Sequence, residues 1–127
     1  MATLQKRQAT ASFIVSESNG FRSRDDVTVT VPADTTLSAG TVLGKITATG
    51  KFVRHDVAAT NGSQNEAGVL FETIVNTTAS GVDYASVNFA RDAELNGHEL
   101  TYEVGADSAQ IIASDLALKA LGIIVRR

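Results

Sequence analysis

Apolar and polar positions alternate strictly over Val27-Thr28-Val29-Thr30-Val31, and Pro32 then removes the next backbone donor. A period of two puts the valines on one face, so this segment predicts a strand that stops at Pro32. Ala39 to Val53 contains two β-prone runs separated by Thr49-Gly50, which predicts a hairpin whose turn uses the positive φ of glycine. Gly44 weakens the first run unless a bulge or a close backbone contact uses the missing side chain. Asn61 to Asn65 reads as a loop, and Val69-Leu70-Phe71 followed by Ile74-Val75 reads as one buried strand. Tyr84 to Arg91 alternates again, with Val87 and Phe89 opposed to Ser86 and Asn88, as do Leu100, Tyr102 and Val104. Both are expected as half-exposed strands with one face to the core and one to water.

Helical period occurs in one stretch, Ser108 to Leu121, where Ile111, Ile112, Leu116, Leu118 and Leu121 form a broad apolar face. Asp107 with Gln110 predicts a capping box, Gly122 a left-handed stop, and Asp115 with Lys119 an i,i+4 ion pair. The segment Ile123-Ile124-Val125 that follows is a terminal strand too apolar to be left exposed. The fold class is therefore mainly β with one helix. Residues 1–26 are polar and aperiodic apart from Phe13-Ile14-Val15 and Phe21, and are expected as a flexible N-terminal arm ahead of a β-rich domain spanning 27–127. Phe13-Ile14-Val15 either packs on that domain or adds as a strand to another protein.

The chain has 127 residues, 43% of them hydrophobic and 20% charged, which matches one soluble domain with a single core. A formal net charge of −3, with only short basic pairs such as Lys6-Arg7 and Arg126-Arg127, argues against a nucleic-acid partner. The absence of cysteine removes disulfides and thiolate zinc sites from consideration. The N-terminus lacks the apolar stretch of a signal peptide and no run approaches a membrane span, so synthesis and retention in the cytoplasm are expected, with no membrane partner. Asn61-Gly62-Ser63 and Asn76-Thr77-Thr78 then read as turn chemistry rather than glycosylation acceptors.

Reactive groups are thinly spread. His55 and His98 stand far apart, and each reads as a surface or loop histidine. No Ser lies in a G-x-S-x-G elbow, and Asp25, Asp26, Glu94 and Glu99 suit solvated turns better than a matched acid and base. Gly40 to Ile46 is too short between its glycines for a phosphate loop and continues as a strand. The expectation is no enzyme, no catalytic residue, no metal, no cofactor and no small-molecule substrate.

Taken in order, Ala39-Gly40-Thr41-Val42-Leu43-Gly44-Lys45-Ile46, Gly50-Lys51-Phe52, Asp56 with Asn61-Gly62-Ser63, Ala67-Gly68-Val69-Leu70 and Ala120-Leu121-Gly122-Ile123-Ile124-Val125 resemble the lambda-type bacteriophage head decoration protein family. The resemblance runs from about Leu37 to the C-terminus. It implies a β-clip-like domain with one packed helix and a homotrimer on the outer surface of the expanded phage capsid, at three-fold and quasi-three-fold positions. It also implies an N-terminal arm that pairs with the major capsid protein. Phe13, Ile14, Val15 and Phe21 are the residues of this chain assigned to that arm. Two other readings stay open: a β-clip module that binds a small ligand or sugar, and another phage structural trimer associated with the tail.

Overall fold

The alternation after Arg24 forms strand β2 (Arg24–Val31), which pairs antiparallel with β8 (Val82–Phe89) over its whole length, from Arg24↔Phe89 to Val31↔Val82. These two are the longest strands in the computed structural model, which describes residues 11–127. With β5 (Phe52–Arg54), β4 (Val42–Lys45) and β6 (Glu66–Leu70) they close a five-stranded barrel in the order β2-β5-β4-β6-β8. The expected hairpin is β4 and β5, paired Lys45↔Phe52, and its turn holds Gly50 at φ +72° with its N–H on the Ile46 carbonyl at 2.8 Å. Gly44 marks a register shift against β6 and also a close approach, since a Cβ there would fall 2.3 Å from the Ser63 carbonyl oxygen.

Val29, Val31, Leu43 and Leu70 fill one core together with Leu37 and Ile74 from a two-stranded sheet of β3 (Thr35–Leu37) and β7 (Ile74–Asn76). Asn76, itself buried, donates to the carbonyls of Val31, Pro32 and Ser80, each at 3.0 Å, and so satisfies the strand end that the proline interrupts. The single strand expected over residues 69–75 is thus two strands in different sheets. The chain turns a corner at Glu72-Thr73, with the Phe71 N–H bonded to Val87 and the Thr73 hydroxyl accepting from the Ala39 N–H at 3.0 Å.

Two further expectations are corrected. Ser86 and Asn88 are buried rather than wet, because barrel closure covers their face of β8, while Val87 is half-buried on the other side. Asn88 lies against Gly68, where a Cβ would come within 2.4 Å of its amide nitrogen. Leu100 to Val104 is not a strand. It follows a 3-10 turn at Gly97–Glu99, makes one isolated bridge, Thr41↔Thr101, and gives its Tyr102 carbonyl to the Arg54 guanidinium in place of a ladder.

The second core lies between the barrel and a three-stranded sheet. That sheet has the order β1 (Ile14–Glu17), β9 (Ala93–Asn96), β10 (Ile123–Arg126), with β1 antiparallel and β10 parallel to β9. Parallel neighbours need a crossover, and α1 (Ser108–Ala120) supplies it between β9 and β10. Its Asp107/Gln110 capping box is formed with both bonds, at 2.8 and 2.9 Å, and Gly122 takes φ +89° just beyond its end. Phe13, Phe89, Leu95, Leu118 and Ile123 pack together here, with the Phe13 ring edge-on to Phe89 at 5.8 Å. Burying Phe13 contributes about 1.5–3 kcal/mol, so the described part of the first 26 residues is built into the fold from Phe13 onward. Residues 1–10 of the expected arm lie outside the described residues.

Candidate functional site

Catalysis would need convergent reactive groups with access to a ligand, and the nearest approach to such a set surrounds His55. This residue is buried, at 3% exposure, not a surface histidine as its loop sequence implied. Its Nε2 stands 2.9 Å from the Gln64 carbonyl and 3.2 Å from Glu66 Oε1. Glu66 also accepts the Ser114 hydroxyl of α1 at 2.6 Å, and Glu103 accepts the Val57 N–H at 2.7 Å. A serine nucleophile requires its proton to pass to the imidazole, which the acid then orients. Here the buried Ser114 donates its hydroxyl hydrogen bond to Glu66 and not to His55, so His55 just after β5, Glu66 of β6 and Ser114 of α1 form a clasp. Among the described residues no three His, Asp or Glu side chains are placed to hold a metal ion, and His98 is exposed in the 3-10 turn Gly97–Glu99.

A second clasp holds the chain end. Tyr102 donates its hydroxyl to Asp115 at 2.5 Å, and Arg127 bonds both Asp115 and the Tyr102 oxygen. Burial and the Asp115 carboxylate push the Tyr102 hydroxyl well above the usual phenol range, with Arg127 opposing. Asp115 therefore serves β10 and the 102 loop instead of the expected i,i+4 partner Lys119. A Lys119 ammonium in water would gain little from that helix pair, about 0.3–0.5 kcal/mol.

The remaining candidates are surfaces. Of the four residues assigned to a partner-binding arm, Phe13 is core, Ile14 is half-buried opposite Leu95, and Val15 and Phe21 are exposed, Phe21 by 86%. Phe21 projects from a turn that Ser23 fixes by donating to the Asp92 carbonyl at 2.8 Å and that Arg22 fastens to the Asp92 carboxylate at 2.7 Å. Behind it, Arg24 lies 4.3 Å over the Phe71 ring and pairs with Glu17 at 2.6 Å. β1 is the outer strand of its sheet, so one of its edges is unpaired among the described residues.

The helix carries a surface that the sequence reading merged with its core face. Ser114 and Leu118 are buried with Ile111 beside them, whereas Ile112 and Leu116 are 60% and 63% exposed. The signal was present: residues 111, 114 and 118 recur at 3-4 spacing on one side, while 112 and 116 are four apart and about 100° further round. With Ile124 and Val125 they line a concavity of about 430 Å³.

Residues 3–123 match the sequence model of the bacteriophage lambda head decoration protein D family. The chain belongs to this family. No curated protein matches it. The match reaches well upstream of Leu37, where the resemblance in the hairpin began, and so takes the whole described N-terminal stretch into the head decoration protein. As a member of that family the protein is a structural component of a phage capsid, and its small barrel with one helix fits the expected β-clip-like fold. Its place on the head rather than the tail separates it from the tail-associated alternative. Among the described residues no helix is long and apolar enough to cross a membrane.

Proposed function

We propose that this head decoration protein is a non-enzymatic cement. Three copies assemble into a homotrimer, bind the major capsid protein on the outer surface of the expanded head at three-fold and quasi-three-fold positions, and stabilise the shell. The observation that carries this reading is the family match over residues 3–123.

The N-terminal segment is the capsid-pairing element in this reading, with its four residues divided in labour. Phe13 anchors β1 from inside and Ile14 packs beside it, while Val15, Phe21 and the outer edge of β1 face the partner. An added strand draws main-chain hydrogen bonds from such an edge and specificity from alternate side chains. Three arms engaging together raise avidity by about 10²–10⁴ over a single contact. Mixing the purified protein with expanded, undecorated heads tests the reading. Co-sedimentation with added mass at the three-fold positions and a higher disruption temperature of the heads are expected; heads that neither retain the protein nor gain stability would rule it out.

A further inference from the structure

In an asparagine-glycine pair the side-chain amide is open to attack by its own backbone, because the glycine has no Cβ to block the approach and turns freely. The chain has three such pairs, Asn19-Gly20, Asn61-Gly62 and Asn96-Gly97, and the fold treats them differently. Attack needs the glycine nitrogen to reach the asparagine Cγ, so the backbone around the pair must be able to rotate into that geometry. Asn61 is clamped. Its Oδ1 accepts from the Ser63 N–H at 3.1 Å and the Ser63 hydroxyl at 2.6 Å, its carbonyl accepts the Thr47 N–H at 3.0 Å, and Gln64 Oε1 accepts the Gly62 N–H at 2.8 Å. Asn96 ends β9 in an extended conformation, ψ 110°, donating its N–H to the Phe13 carbonyl at 2.7 Å and accepting the His98 N–H on Oδ1 at 3.0 Å. Gly97 beside it is buried, and a Cβ there would fall 2.8 Å from the Val125 side chain.

Asn19-Gly20 has none of these restraints among the described residues. Both residues are exposed at the tip of a turn whose ends are fixed, since the Ser18 N–H and the Ser23 hydroxyl bond the Asp92 carbonyl at 3.3 and 2.8 Å. Among the described residues no hydrogen bond reaches the Asn19 side chain or the Gly20 N–H, and nothing stands within 4 Å of where a Gly20 Cβ would lie. We propose that Asn19 is a site of self-modification, at which the folded chain converts this amide to a carboxylate with water as the co-reactant. The Gly20 nitrogen loses its proton and bonds to Asn19 Cγ, the Cγ–Nδ2 bond breaks, and the amide nitrogen leaves with that proton as ammonia, closing a succinimide ring. Water then adds across one of the two ring C–N bonds. Opening at the side-chain carbonyl leaves aspartate; opening at the main-chain carbonyl leaves isoaspartate, which routes the backbone through the former side chain. Either product places a new carboxylate at the tip that carries Phe21.

The full chain in its native oligomeric state is incubated in warm, mildly alkaline buffer and then digested with trypsin. Cleavage after Arg and Lys puts the three pairs in separate peptides, 8–22, 55–91 and 92–119. Peptide 8–22 is expected to gain the amide-to-acid mass difference, and to become a substrate for isoaspartyl methylation, about tenfold faster than the other two, because each of those pairs must first lose hydrogen bonds. In denaturant, where no pair is held, the three rates are expected to converge. An Asn19 rate in the folded protein no higher than those of Asn61 and Asn96 overturns the proposal. A difference that persists in denaturant also overturns it, since the ranking would then come from the neighbouring residues in sequence and not from the fold. Gly20→Ala adds a Cβ at the attacking residue and is expected to slow conversion of Asn19 by about tenfold. An unchanged rate in that variant shows that the amide is lost by direct hydrolysis without ring closure, which refutes the mechanism.

Discussion

At the scale of single residues, neighbours in sequence have opposite duties. Phe13 and Phe21 both stand in a stretch that reads as a polar arm, yet one is sealed against Phe89 and the other projects into water. Phe13→Ala leaves a cavity in a close-packed core and is expected to lower stability by about 3–5 kcal/mol, read from denaturant unfolding. Phe21→Ala changes an exposed side chain and is expected to stay within about 0.5 kcal/mol of the parent while weakening capsid binding. Equal stability losses for the two would show that the arm is not divided in this way. His55 teaches the same lesson about environment, because its loop sequence is polar and its burial arises from Glu66 and Glu103, 11 and 48 positions away along the chain.

At the scale of elements, α1 is the best-determined part. Its cap, its glycine stop and its length were all legible, because capping and period act over a few residues. The way it is tied down was not legible. Tyr102, Asp115 and Arg127 join the preceding loop, the helix and the end of β10. The folded chain holds the Tyr102 proton more tightly than the unfolded chain does. The clasp's contribution is therefore complete below the unfolded phenol's value of about 10 and is lost as pH rises above it. Thermal melting followed from neutral to strongly alkaline pH is expected to fall more steeply for the parent than for Tyr102→Phe; parallel curves would remove Tyr102 from the cause. The strands show the opposite balance. β2 could be read from alternation and Pro32, whereas the break between β6 and β7 is made by partners in two separate sheets.

At the scale of the whole molecule, the described N-terminal stretch is part of the fold and is also the proposed capsid-pairing element. β1 and Phe13 complete the second core, while residues 2–10 precede both. Deleting residues 2–10 is expected to leave the melting temperature within a few degrees of the parent, about what a change under 1 kcal/mol produces. Deleting residues 2–24 removes β1 and Phe13 and is expected to unfold the chain or lower its melting temperature sharply. Differential scanning calorimetry of the two truncations distinguishes them, and a stable product from the longer deletion would make the core independent of β1.

By itself, the sequence determined what short-range physics controls. This covers the β2 strand and its stop, the β4-β5 hairpin, the helix with both ends, the scarcity of reactive side chains, and the order of motifs shared with head decoration proteins. Only the tertiary structure decided which faces are covered. Periodicity says which side chains lie together, but closing a barrel or docking a helix depends on strands distant in the chain. Hence Ser86, Asn88 and His55 went inside, Phe13 joined the core, and the apolar pair Ile112 and Leu116 stayed out.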